Sequence, residues 1–125
     1  MAEWTADDLN EIGSVVEMRI AALLPDGTPR DSVIIWVVRV DDDLYVRSYR
    51  GAGAAWFRGT RERPEGVIEV DGVTRGVTFI DDADPETNAR IDAAYRTKYA
   101  SQGREYVDAM IAPAARATTI KLVPR

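Results

Sequence analysis

Five residues able to hold an anion stand close together: Arg47, Ser48, Arg50, Gly51 and Gly53. They lie in the run Leu44-Tyr45-Val46-Arg47-Ser48-Tyr49-Arg50-Gly51-Ala52-Gly53-Ala54-Ala55-Trp56-Phe57-Arg58-Gly59. A strand that ends at Arg47 and Ser48 delivers them to a glycine turn, after which a helix carrying Trp56 and Phe57 begins. Glycines let backbone N–H groups approach a ligand closely, and a helix N-terminus attracts negative charge. Arg47 and Arg50 add forked donors suited to phosphate. These are the parts of a phosphate cradle. The same residues also suit a plain strand–turn–helix connection with its arginines paired to nearby acids.

The surrounding charge leaves the same two readings open. Arg47, Arg50, Arg58, Arg61 and Arg63 face a single acid, Glu62, in a chain whose net charge is −5. A basic island of this kind is either a small-anion site or a solvated helix face. The net negative charge argues against nucleic acid as a partner, since backbone binding needs concentrated Lys and Arg. Cysteine and histidine are both absent. That excludes disulfides, thiolate chemistry, Cys/His zinc sites and imidazole-based triads. Acid–base work is left to Asp, Glu, Tyr, Lys, a cofactor or water, and no catalytic residue is assigned. Asp41-Asp42-Asp43 lacks the spaced oxygen ligands of a metal site, and none is assigned.

Other residues have structural readings beside functional ones. Trp36 and Trp56 either line a pocket for a flat ring or pack in a core or dimer interface. Tyr95, Tyr99 and Tyr106 follow helical spacing and read as packing residues, with the alternative that one hydroxyl reaches a pocket. Asp81, Asp82 and Asp84 precede a helix and read as its caps.

The elements that position these residues are short. Thr5 and Asp8 begin a helix over Ala6 to Ile12. Val15 to Leu24 runs into the turn Pro25-Asp26-Gly27. Ser32 to Val40 is almost continuously apolar and reads as one strand covered on both faces. After Asp41 to Asp43, the arm Leu44 to Tyr49 alternates. Leu44, Val46 and Ser48 suit a barrel interior, while Tyr45, Arg47 and Tyr49 suit an interface or pocket wall. Val67–Val70 and Val73–Ile80 flank Asp71-Gly72, a hairpin signal. Pro85 opens a longer helical segment with Ile91, Ala94, Tyr95 and Tyr99 on one face, continued by Tyr106, Val107, Met110 and Ile111. Thr118 to Val123 closes as a strand. The pattern predicts one α+β domain over residues 1–125, mainly antiparallel β. It favours a small antiparallel barrel of about six strands with short helices and a longer helical segment before the last strand. No apolar run has membrane-span length and no export leader is evident, so a cytoplasmic protein is expected.

Leu24-Pro25-Asp26-Gly27-Thr28-Pro29, Ile35-Trp36-Val37-Val38, Leu44-Tyr45-Val46-Arg47-Ser48, Gly51 and Trp56 resemble the common core of the pyridoxamine phosphate oxidase-like split barrels. From Trp4-Thr5-Ala6-Asp7 through Asp92-Ala93-Ala94-Tyr95 to Thr118-Thr119, the chain resembles an uncharacterised family of small bacterial proteins in that superfamily. The resemblance implies a six-stranded split β-barrel that forms a homodimer with FMN at its interface, and a deazaflavin is a variant. It implies that Arg47, Ser48, Arg50 and Gly51 hold the phosphate, and that the flavin ring lies along the strand containing Ile35 and Trp36, with Trp56 shaping the pocket. Where the superfamily often has Ser-Arg-Lys, this chain has Gly51-Ala52-Gly53, so Arg47 and Arg50 must supply the charge.

The resemblance implies an FMN- or deazaflavin-binding protein, expected to be a small oxidoreductase acting on an unknown small molecule. Such a cofactor supplies the redox chemistry itself, which suits a chain without His or Cys. Two alternatives stand beside it. One is a cofactor-free pocket that binds or converts a small hydrophobic anion. The other is a non-catalytic ligand-binding protein.

Overall fold

The computed structural model describes residues 3–125. Helix α1 (Ala6–Ser14) starts at the expected capping box: Thr5 accepts from the Asp8 amide, and the Asp8 carboxylate accepts from the Thr5 amide. Strands β1 (Met18–Ala22), β2 (Val33–Ile35), β3 (Val38–Val40) and β4 (Asp43–Val46) follow. A single 3-10 turn over Gly51–Gly53 leads to α2 (Ala55–Glu62). Next come the hairpin β5 (Glu65–Val70) and β6 (Val73–Asp81), then α3 (Pro85–Lys98), α4 (Arg104–Ile111), α5 (Pro113–Arg116) and β7 (Ile120–Pro124).

Among the described residues, seven strands form one antiparallel sheet in the order β2-β1-β5-β6-β7-β4-β3. The two edge strands are consecutive in the chain, separated only by Trp36 and Val37. A link that short spans at most roughly 11 Å, so the two edges must meet and the sheet closes on itself. The α+β class with a mainly antiparallel sheet is as the sequence predicts, but the strand count is seven rather than six. The expected strand over Ser32 to Val40 is divided at Trp36–Val37, where the chain leaves β1 and joins β4. Backbone polar groups at that break need other partners. The Val37 N–H donates to the Tyr99 hydroxyl (3.1 Å), and the Val37 carbonyl accepts from Lys98 Nζ (2.5 Å).

Local turn chemistry accounts for the rest. Asp71 and Gly72 both adopt positive φ (51° and 80°), as a tight two-residue hairpin requires. Asp84 caps α3 through the Thr87 amide, and Pro85 occupies its first turn. The long helical segment breaks at Gly103, whose φ of 119° no side chain tolerates well.

Apolar side chains fill two regions. The first includes Ile12, Ile20, Leu44, Val46, Ile68, Val77, Ile120 and Leu122 and lies inside the barrel. The second, with Val38, Tyr45, Ile91, Tyr95, Tyr99, Val107 and Met110, joins α3 and α4 to the β3–β4 hairpin. Leu44 and Val46 thus take the interior positions expected of them. Tyr45, expected on an interface or pocket wall, is instead buried beneath α3.

Candidate functional site

A cleft of about 920 Å³ opens beside the strand break. The β2 residues Val33, Ile34 and Ile35 form one wall together with Trp36. The end of β4 and the following loop contribute Arg47, Ser48, Tyr49, Arg50, Gly53 and Ala54. Ala55 and Trp56 begin α2, and Gln102, Tyr106 and Met110 come from the α3–α4 side. Glu17 adds a carboxylate just before β1. Of the seven residues expected to touch a cofactor, six line this cleft: Ile35, Trp36, Arg47, Ser48, Arg50 and Trp56. Gly51 lies behind it, buried, with φ +74° shaping the loop.

Arg47 reaches the cleft, but its guanidinium does not point into it as a free donor. The residue is only 1% exposed. Nε donates to Thr119 Oγ1 (2.9 Å). Nη1 donates to Asp92 Oδ1 (2.5 Å) and the Met110 carbonyl (3.0 Å), and Nη2 to Asn88 Oδ1 (2.9 Å) and the Asn88 carbonyl (3.3 Å). A guanidinium has five N–H donors, and each has an acceptor here. The second Asp92 oxygen meets Arg116 at 3.2 Å, and Thr119 Oγ1 donates to Asn88 Oδ1 at 2.6 Å. The Tyr95 ring lies 5.5 Å from the Arg47 guanidinium carbon, and burial pushes its phenol well above the ordinary tyrosine range. This closed network binds β4 to α3, α4, α5 and the approach to β7. The expected role of Arg47 as a phosphate donor thus meets a geometry in which no donor is left over.

Ser48 is similarly engaged. Its amide donates to Thr118 Oγ1 (2.8 Å) and its hydroxyl to the Gly51 carbonyl (2.7 Å). The hydroxyl retains acceptor capacity only. Thr118 in turn donates to the Ala115 carbonyl, so the loop is fixed from behind.

Arg50 differs. It is exposed, lines the cleft and has no acidic or hydrogen-bonding partner among the described residues. Beside it, α2 begins without a capping side chain and without an acid in its first turn. Uncapped amides and a free guanidinium at one end of a cleft give anion-binding chemistry. The basic island otherwise dissolves: Arg61 pairs with Asp81, Arg63 with Glu65, and Arg58 lies outside the cleft wall. Asp41, Asp42 and Asp43 pair with Arg90, Arg39 and Lys121 respectively.

Aromatic and apolar groups line the same cleft. The Trp36 indole stacks on Tyr99 at 3.9 Å with 7° between planes, while Trp56 meets Phe57 edge-on. Tyr49 and Tyr106 are about half exposed, 6.2 Å apart at the rim, near exposed Ile34. Tyr95 and Tyr99 are buried packing residues, whereas Tyr106, beyond the turn at Gly103, is the one of the three tyrosines that reaches the cleft. Glu17 and Gln102 carried no signal in the sequence, since neither belongs to a motif.

In this chain no described helix is long and apolar enough to cross a membrane. No curated protein matches it in sequence. Among solved structures, it is similar to a putative pyridoxamine 5'-phosphate oxidase from Listeria innocua (TM-score 0.63, 14% identity, covering 94% of this chain and 90% of that chain). It is similar to an F420 reductase (TM-score 0.57, 17% identity, 94% and 90% covered). A further similar structure is an FAD-binding protein from Mesorhizobium loti (TM-score 0.57, 17% identity, 97% and 88% covered). At such identities the likeness is one of fold, and the fold is the pyridoxamine phosphate oxidase-like split barrel. The family model for uncharacterised proteins conserved in bacteria, DUF2255, matches residues 8–122, and the chain belongs to that family.

Proposed function

We propose that this protein binds a flavin-type cofactor, FMN or a deazaflavin, in the cleft and acts as a small oxidoreductase on a small molecule. One observation carries the reading: an unpaired arginine, Arg50, and the uncapped start of α2 share a cleft with Trp36 and Trp56. That combination matches a cofactor with an anionic tail and a flat ring. Arg50 makes no side-chain hydrogen bond or ion pair among the described residues that such a group would have to displace. Arg50 and the α2 amides would hold the phosphate, Ser48 and Gly51 would shape the loop, and Ile35, Trp36 and Trp56 would border the ring. A bound flavin supplies the hydride or electron transfer that no side chain here provides.

The chain's own residues then bind, orient and exclude water. The Arg47 network keeps the loop in place, so Arg47 supports the site from behind rather than touching phosphate. Exposed Ile34, Tyr49 and Tyr106 at the rim favour a second copy of the chain as the cover, giving a homodimer. Their burial would dry the ring end of the site.

One observation supports the alternative of a cofactor-free pocket for a small hydrophobic anion. With Arg47 fully engaged, the described residues of the cleft offer a single free cation, which suits a monoanion as well as a phosphate. Titration with FMN, followed by quenching of flavin fluorescence, separates the two. Saturable binding at micromolar concentration or tighter supports the flavin reading. Absence of binding by the folded protein moves the assignment to the cofactor-free pocket.

A further inference from the structure

Tyr99 is wholly buried and absent from the cleft wall, yet it holds two parts of that wall. Its hydroxyl donates to the Val16 carbonyl (2.6 Å) and accepts from the Val37 amide (3.1 Å). Val16 precedes the cleft residue Glu17, and Val37 follows the cleft residue Trp36. One phenol therefore ties the approach to β1 to the interruption between β2 and β3. Lys98 reinforces the same point by donating to the Val37 carbonyl, with Nζ 5.1 Å from the Tyr99 ring centre.

The consequence falls on Trp36. One face of its indole is covered by the Tyr99 ring, in a nearly parallel stack. A ring so placed has one face left for a ligand, and its backbone on the Val37 side is pinned by the residue that stacks on it. Two electron-rich rings in register favour a third that is flat and electron-poor. The oxidised ring of a flavin and a quinone share that character.

Resting on the reading that the cleft takes a flat cofactor ring, we infer that Tyr99 is a positioning residue. It fixes Trp36 as a one-faced platform on which a flat, electron-poor ring stacks. Tyr99 acts through Trp36 and touches no ligand itself.

The test compares the wild type with Trp36→Leu, Tyr99→Leu and Tyr99→Phe. Near-ultraviolet circular dichroism of the protein alone reports the indole–phenol stack, which persists in Tyr99→Phe and is lost in both leucine variants. FMN and, separately, menadione (a flat quinone without phosphate) are then titrated. The expected rise in Kd is about tenfold for each leucine variant and under about threefold for Tyr99→Phe, with both ligands. If Tyr99→Leu fails to fold, Tyr99→Met fills the space without a ring and takes its place. Equal affinities across all variants would overturn the platform while leaving FMN binding, and so the flavin reading, intact. If FMN does not bind but menadione follows the expected order, the flavin reading falls and the platform stands. If neither ligand binds the wild type, the platform is overturned.

Discussion

Arg47 and Arg50 leave the same strand end three positions apart and meet opposite surroundings. Arg47 is buried with every N–H donor matched, whereas Arg50 faces an open cleft with no partner among the described residues. The first joins four chain segments; the second is available to a ligand. Residue type and local spacing do not distinguish them. The difference comes from Asn88, Asp92, Met110 and Thr119, which lie far along the chain and close around one guanidinium only.

Removing each side chain in turn is the most direct way to break this contrast. Arg47→Ala takes the buried cation from Asp92 and Asn88, leaving Asp92 only its contact with the part-exposed Arg116, and urea denaturation should show a loss of about 3–5 kcal/mol. An effect as small as that of a surface substitution would mean that the closed network is not structural. One step outward, Thr118→Val keeps the volume but removes the acceptor for the buried Ser48 amide. Its expected cost is about 1–3 kcal/mol, read from the same denaturation curves.

A smaller effect concerns the strand break. Burial lowers the Lys98 ammonium to about 8 from its ordinary 10.5. Above pH 8 the unfolded chain therefore binds more protons than the folded one, and stability rises with pH. Burial also raises the Tyr45 and Tyr99 phenols to about 12 from 10, so above pH 10 the folded chain keeps protons that the unfolded chain loses. That contribution makes stability fall with further rise in pH. A shallow gain between pH 8 and 10 is expected, and Lys98→Met should abolish it; a gain that persists in the variant would assign it elsewhere. The smallest effect belongs to Arg58, exposed and outside the cleft wall. Arg58→Ala should change stability by no more than about 0.5 kcal/mol and leave FMN affinity unchanged.

These contrasts also mark what the sequence could convey. Local chemistry was legible: the Thr5–Asp8 box, the Asp71-Gly72 hairpin and the Asp84-Pro85 helix start all depend on neighbours within a few residues. The membership of Arg50, Trp36 and Trp56 in one cleft was legible through the strand–turn–helix run and the family resemblance. The engagement of Arg47 was not, because its partners stand 41 to 72 positions away. The break in the strand after Ile35 was hidden for the same reason. An unbroken apolar run gives no sign of an interruption whose backbone is satisfied by Lys98 and Tyr99 from a distant helix.

The measurement that tests the central claim most directly is the affinity for FMN beside that for riboflavin, which lacks the phosphate, in the wild type and in Arg50→Ala. The account predicts that the wild type prefers FMN, and that Arg50→Ala weakens FMN about tenfold while leaving riboflavin nearly unchanged. A preference for FMN that survives the loss of Arg50 in full would contradict it and place the anion elsewhere.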